Sequence, residues 1–431
     1  MTRVHQTTGK IFYGWWVVLA ASIGLALHAG PLIVPTFGVF LKPLSQEFGW
    51  SRTQISFAFS LFTLGLTITM PLIGRLVDRW GARKVIVRAV LLFGLGVLSL
   101  AFLSAHLWHF YAVYLFLGIV GSGTAMVPYT KVISRWFDRK RGLALGLAAA
   151  TFSVSASLMP PLTQSLIATV GWRHAYEILG FLVMIITIPA VMLWLKESPQ
   201  VMGLAPDGET LEPAKMATQR GPEEGMSFQE ARQIGTFWLM GGAFFLISVC
   251  FHGSIIHLVP LLTDRGFSPQ SAVLVASLTS MAGLIGKVGV GYLLDRCFAP
   301  YVAACFFCGF ALGLLLLWSG MAGGVVLIAV VLVGLGIGAE IDVMPYMVSR
   351  YFGLRAFGEI YSYTFAIFTL GGVIGPLLMG AAFDAMGSYR LVLGTFVLVA
   401  LTAAGFMSRL GPYRVWEEAG APVVATGVAG A

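Results

Sequence analysis

Charge is what this chain carries least of. Asp, Glu, Lys and Arg make up 11% of its 431 residues, where an ordinary soluble domain has roughly 25%, so a soluble enzyme is excluded. Cysteine is scarce too. Cys250, Cys297, Cys305 and Cys308 supply no disulfide framework, and Cys305-x-x-Cys308 sits in an apolar run without the second pair or histidines a zinc site needs. No nucleophile with its base and no glycine-rich phosphate loop appears, so no catalytic residue, metal or cofactor is expected.

What is present is apolar: 58% of the residues are hydrophobic. Hydrocarbon offers no water to backbone N–H and C=O groups, and ~20-residue apolar runs without strict alternation select membrane-crossing helices. Twelve are expected, with cores at 15–36, 54–74, 85–105, 109–133, 142–168, 174–195, 236–262, 270–292, 300–320, 323–348, 357–383 and 389–410. With both termini cytoplasmic, 20 of the 27 basic residues fall on the inner side. The outer side keeps Lys42, Arg52, Arg173, Arg265 and Arg390, while Lys131 and Lys287 lie within spans. The positive-inside rule supports this orientation in a cell membrane, such as the inner membrane of a bacterium, with the first span as its own insertion signal. Attraction to an anionic leaflet then accounts for the net charge of +8 without any nucleic-acid partner.

The sequence repeats itself. Ser134-Arg135-Trp136-Phe137 returns as Ser349-Arg350-Tyr351-Phe352, offset by 215; Asp78-Arg79 returns as Asp295-Arg296, offset by 217; and Pro160 matches Pro376, offset by 216. The fold class is therefore an all-α membrane protein, twelve transmembrane helices in two six-helix pseudo-repeats. Residues 1–195 form the first bundle and 236–411 the second. Between them, 196–235 is a cytoplasmic linker with a short amphipathic helix opened by the capping-box pair Ser227 and Glu230, and 412–431 is a disordered cytoplasmic tail. Glycine clusters at Gly118-x-x-Gly121-x-Gly123, Gly334-x-Gly336-x-Gly338 and Gly371-Gly372 allow close helix crossing.

Ionisable residues inside spans mark function, since each costs ~2.5–3.5 kcal/mol at helix centre unless paired or hydrated. Lys287 lies eight residues before Asp295, hence ~12 Å from the helix end. Asp342, eight before Arg350, reaches the same depth. Glu340 and Asp342, two apart, point ~200° from each other, so only one meets Lys287. Asp342 is favoured because Tyr346 lies one turn below it on the same face. On this reading Lys287 binds an anion, Tyr129, Tyr346 and His252 add polar contacts, and Asp342, or else Glu340, couples a proton by releasing the lysine. Each has a plainer alternative: a fixed ion pair for Lys287, core packing for Tyr129, a snorkelling head for Lys131, and satisfied structural roles for His28, His252 and His257, which as histidines titrate near neutral pH and could each relay a proton.

The loop Gly74 to Lys84, with Asp78, Arg79, Gly81, Arg83 and Lys84, fits G-x-x-x-D-R-x-G-x-[RK]-[RK], and Gly291 to Arg296 is its reduced copy. In these residues the chain resembles the major facilitator superfamily. The resemblance implies the major facilitator fold, with Asp78 and Arg79 latching the cytoplasmic side against Arg135 or Arg139, and Asp295 and Arg296 repeating that gate; the alternative is that these charges only set topology. Tyr13 to Val18, Phe37 to Phe40, Phe48 to Ser51, Pro206-Asp207-Gly208 and Phe237-Trp238 are similar to the branch of monocarboxylate porters and oxalate:formate antiporters. In those carriers an eighth-helix arginine grips the substrate carboxylate, and Lys287 aligns with it. The oxalate carrier's second cation aligns with Thr364, which disfavours a dicarboxylate. The chain departs from animal monocarboxylate carriers in having no Lys or Arg from Gly14 to Leu41 and Gly283 in place of an aspartate.

The expected protein is a monomeric secondary transporter, embedded in membrane lipid, for a small organic anion such as a monocarboxylate. It works by alternating access with proton symport or exchange against a counter-substrate. The alternatives are a proton-coupled exporter of cations or drugs centred on Asp342 or Glu340, and a non-transporting membrane sensor, which would need a soluble output domain.

Overall fold

The computed structural model describes residues 12–137, 140–208, 225–294, 296–320, 323–353 and 355–413; the side chains at 71, 78, 141, 142, 208, 339–342 and 358 lie outside it. Arg139, Asp295, most of the linker and the tail are therefore outside the described residues, as are the side chains of Asp78, Glu340 and Asp342.

The first crossing is broken into three helices, α1 (Gly14–Ala26), α2 (Ala29–Ile33) and α3 (Phe37–Phe48). The break has a local cause. His28 leaves the helix and caps α2, its Nδ1 accepting the Gly30 N–H at 2.7 Å, and Pro35 then separates α2 from α3. The sequence places the end of this span near residue 36, so α3 is a continuation it does not reveal. A capping box of Ser51 and Gln54 starts α4 (Arg52–Trp80), followed by α5 (Ala82–Ser99), α6 (Leu107–Gly121) and α7 (Met126–Trp136). α8 (Arg141–Trp194) runs through what the sequence reads as two spans. They turn at Gly171, whose φ of 84° is open to glycine at little cost.

The second half holds α9 (Phe228–Ala231), α10 (Gly235–Asp264), α11 (Pro269–Leu294), α12 (Ala299–Trp318), α13 (Gly324–Phe352), α14 (Phe357–Met386) and α15 (Arg390–Ser408). Ser227 and Glu230 exchange capping bonds before α9. Among the described residues eleven stretches are long and apolar enough to cross a membrane, and one of them, Leu143–Trp194, has 52 residues, enough for two passes. Phe12, Tyr413, the described parts of the linker and the Gly74 to Lys84 turn then share one end of the molecule, called here the linker end; Phe48 to Ser51, Gly171 and Gly387 lie at the far end.

Two aromatic-rich cores form, one around Phe59, Phe93, Phe110 and Trp136, the other around Phe237, Phe244, Phe307 and Phe396. Lipid tails are as apolar as these cores, so close packing rather than expulsion from water must hold the helices together. Glycine makes this possible where α13 crosses α11: a Cβ on Gly338 would stand 1.9 Å from the Gly283 carbonyl oxygen. The two halves also interlock. Ile256 of α10 joins the first core, and a Cβ on Gly38 of α3 would meet the Ile256 carbonyl at 2.4 Å.

Candidate functional site

A cavity of about 240 Å³ lies between the halves. Phe59, Phe62 and Thr63 of α4 and Phe152 and Ser153 of α8 line it from the first half; His252 of α10, Thr279 and Lys287 of α11 and Phe368 and Thr369 of α14 line it from the second. A larger groove of about 890 Å³ between Trp318 of α12 and Arg390 to Leu398 of α15 touches only the second half. It cannot serve a path that both halves must open.

The helical period fixes where Lys287 points. Its neighbours Ile285 and Val288 are 66% and 71% exposed on the outer surface of α11, whereas Thr279, Gly283 and Lys287, four residues apart in turn, line the cavity. The Lys287 Nζ reaches across to the first half and stands 5.4 Å from the centre of the Phe152 ring, within cation–π range. Lys287 is the one charged side chain among the cavity's described lining residues. Six phenylalanines surround it, and such apolar walls screen the ammonium field less than water would.

His252 also lines the cavity, its Nδ1 held 3.1 Å from both the hydroxyl and the carbonyl of Ser248, with Phe368 against its ring. Two other candidates are not brought there. Tyr129 is fully buried in the first core, its hydroxyl packed where a Cβ on Gly24 would be, and it does not line the cavity. Tyr346 donates to the Leu294 carbonyl at 3.1 Å and lies beneath Arg350, because one turn below Asp342 is already toward the helix end. Thr364 turns its hydroxyl back to Ile360. Glu340 and Asp342 occupy helical backbone of α13 next to the lining residues Ile337 and Gly338.

At the linker end Arg79 and Arg135 are exposed, and Arg296 folds over the Tyr292 ring at 3.7 Å. Among the described residues none of the three pairs with a carboxylate. Gly81 of the motif has φ 85°, and Glu197 sits where a Cβ would be, accepting the Arg83 N–H at 2.7 Å. This ties the motif loop to the end of α8.

The far end is latched by residues of which the sequence reading singled out only His257 as a candidate. Asp264, at the end of α10, takes Arg52 Nη1 at 2.6 Å, Arg52 Nη2 at 3.1 Å and Lys42 Nζ at 2.7 Å. Asp384 of α14 accepts the backbone N–H groups of Arg52 and Thr53 at 3.0 and 2.8 Å, so a carboxylate of the second half sits on the positive N-terminus of α4 in the first. Tyr389 accepts from Arg52 and meets His257 Nδ1 at 3.0 Å. Below them Ser60 donates to Val373 at 2.6 Å and Ser157 to Ser277 at 3.2 Å. These bonds and ion pairs, with the Ser56 hydroxyl 3.0 Å from His257 Nε2, join the two halves on the far-end side. The available signal was sparseness: Arg52 and Lys42 are two of only five basic residues on that side.

Known proteins fit this arrangement. The chain is 28% identical over 406 residues to monocarboxylate transporter 11 of Mus musculus, covering 89% of this chain and 86% of that protein. It is 27% identical over 401 residues to monocarboxylate transporter 2 of Homo sapiens, covering 88% and 81%. Its backbone superposes on a bacterial homolog of the human lysosomal transporter Spinster, in an inward-facing and occupied conformation, with a TM-score of 0.68, 18% identity and coverage of 93% of this chain and 97% of that one; this likeness carries the fold alone. Residues 17–376 match the Major Facilitator Superfamily, and the chain belongs to that superfamily as a multi-pass secondary transporter of a small molecule.

Proposed function

We propose that the protein carries a small organic anion, a monocarboxylate, with Lys287 as the anchor for the carboxylate. One observation carries this reading: the Lys287 ammonium faces a cavity lined by both halves, so whatever it holds is handed between them. A single cation suits a single carboxylate, and it repels cationic cargo. The volume of about 240 Å³ falls below the ~300–1,000 Å³ of drug-sized sites, which speaks against a drug exporter. The names of the similar carriers point the same way.

The far-end latch supports a cycle in which the halves rock apart alternately. With the termini cytoplasmic in a cell membrane, as the distribution of basic residues supports, the arrangement is inward-facing, and transport is driven by proton symport or exchange. Asp342 and Glu340 remain proposed proton carriers beside Lys287, and Asp78, Arg79, Arg135, Arg139, Asp295 and Arg296 the proposed gate of the cytoplasmic side. His252 is the proposed polar contact for the cargo.

Uptake of radiolabelled monocarboxylates and dicarboxylates into proteoliposomes, with an inward proton gradient and without one, tests the assignment. Monocarboxylate uptake that disappears in Lys287→Met and returns in part in Lys287→Arg is the expected result. Undiminished uptake in Lys287→Met would sink it.

A further inference from the structure

We propose that His257 is a positioning residue for the transport reaction, a proton-responsive part of the far-end latch: its unprotonated nitrogen holds that end shut, and a proton there opens it. This rests on reading the carrier as proton-linked, and not on the identity of its cargo.

The hydrogen-bond directions carry the inference. His257 is fully buried between the halves. Its Nε2 lies 3.1 Å from the Pro376 carbonyl and 3.0 Å from the Ser56 hydroxyl, and its Nδ1 lies 3.0 Å from the Tyr389 hydroxyl. A carbonyl only accepts, so Nε2 bears the hydrogen, and in a neutral ring Nδ1 must accept from the Tyr389 O–H. The Tyr389 oxygen accepts in turn from Arg52, which grips Asp264. Donation therefore runs one way, Arg52 to Tyr389 to His257 to Pro376, with the Ser56 hydroxyl also accepting from Nε2, and only that sense satisfies the Pro376 carbonyl together with the other contacts.

A proton on Nδ1 reverses one link. The Tyr389 oxygen then faces two donors, Arg52 and His257, its own hydrogen loses its acceptor, and a second positive charge stands near Arg52. The charged groups facing the ring are Arg52 from α4, Asp264 from its own helix and Asp384 from α14, with Lys42 of α3 behind Asp264. Both carboxylates are already occupied, Asp264 by Arg52 and Lys42, Asp384 by the start of α4. Arg390, the first residue of α15, lies instead over Trp318, 5.4 Å from its ring, and the only charge on α11, Lys287, is at the cavity. No free carboxylate among the described residues receives the new charge, so separation of the halves and entry of water relieve it.

Spin labels replacing Gln46 of α3 and Gln270 of α11, both exposed at the far end in opposite halves, report the far-end distance in the cysteine-free full chain in lipid nanodiscs. Between about pH 8 and about pH 5 the ratio of long to short distances rises about tenfold in the parent and less than about twofold in His257→Gln, whose amide donates and accepts without titrating. Tyr389→Phe, which removes the hydroxyl through which the proton is felt, also flattens the response, and it carries the test if His257→Gln does not yield monodisperse protein. A parent with the same distances at both pH values, or a full response in either variant, overturns the proposal. Should no monocarboxylate enter proteoliposomes while the distances still respond to pH, the cargo assignment fails and the latch stands.

Discussion

The two halves line the same cavity with matched shapes and unmatched chemistry. Phe152 and Ser153 of α8 and Phe368 and Thr369 of α14 stand 216 residues apart and face the cavity from opposite sides, as do Thr63 and Thr279 and, at the broken first helix, Pro35 and Phe251. Lys287 and His252 break the pattern, for the positions 216 residues earlier are Pro71 and Thr36. Each half supplies three phenylalanines to an aromatic chamber, though only Phe152 and Phe368 are repeat partners. The unrepeated Lys287 supplies the charge, and it is confined to the second half. A cargo held by Lys287 therefore belongs to one half electrostatically and to both sterically, which lets the halves rock around it without a competing anchor.

The comparison breaks most severely at the lysine. Lys287→Met is expected to lower monocarboxylate uptake by about thirtyfold or more, the lower end of the ~2–5 kcal/mol lost when one partner of a buried charged contact is truncated. Initial uptake rates in proteoliposomes, normalised to inserted protein, check this. A residual rate near that of the parent would mean that the matched chamber alone selects the cargo.

A second prediction concerns what the halves share. Gly118 of α6 and Gly338 of α13 let a neighbouring backbone approach, a Cβ meeting the Phe62 carbonyl at 2.1 Å or the Gly283 carbonyl at 1.9 Å. Gly118→Ala and Gly338→Ala should each destabilise by about 1–3 kcal/mol through overpacking, whereas Gly146→Ala, with nothing within 4 Å, should be neutral or stabilising by about 0.5–1 kcal/mol. Thermal unfolding in detergent measures all three. Equal losses in the two halves would place stability in the symmetric scaffold.

Phe152 and Phe368 sharpen the contrast at smaller scale. Only Phe152 lies under the Lys287 ammonium, so Phe152→Leu should weaken apparent substrate affinity by about two- to fivefold, the worth of ~0.5–1 kcal/mol of cation–π contact, with Phe368→Leu affected less. Concentration dependence of uptake separates KM from maximal rate.

The smallest effect compares ties within a half with ties between halves. Glu47 at the end of α3 binds Arg173 and Trp172, both in the first half. The Arg173 guanidinium, helped by the Trp172 N–H, holds the Glu47 carboxyl below the usual carboxylate range. A lowered folded value means that this tie stabilises above about pH 4.3 and fades as pH falls through the folded value. Melting temperatures between about pH 3 and about pH 6 should therefore fall less steeply in Glu47→Gln, while the far-end distance between the halves stays unchanged.

Much of this was legible in the sequence. Length of apolar run, placement of basic residues and the repeat at 215 to 217 residues gave the spans and the two halves, because lipid forces every backbone polar group into a helix. The exceptions are instructive. The break at His28 to Thr36 arises from a side-chain cap and a proline inside a run that hydropathy reads as continuous. Lys287 stood out because an intramembrane charge is rare, whereas no local pattern places Tyr129 or Tyr346: the Tyr346 hydroxyl is taken by the Leu294 carbonyl, and the Tyr129 hydroxyl is packed against Gly24 with no hydrogen-bond partner among the described residues. The latch of Arg52, Asp264, Asp384, Tyr389 and His257 joins positions up to 337 residues apart, a separation that no local pattern encodes.

By itself, then, the order of amino acids determined that the chain crosses a membrane many times in two related halves and that one intramembrane ammonium is set apart in the second. Only tertiary structure decided which side of α11 that ammonium faces, which tyrosines are spent on packing and which end is closed. The reason is geometric: period and hydropathy act along one helix, whereas a latch or a cavity exists only where helices from distant parts of the chain are brought face to face.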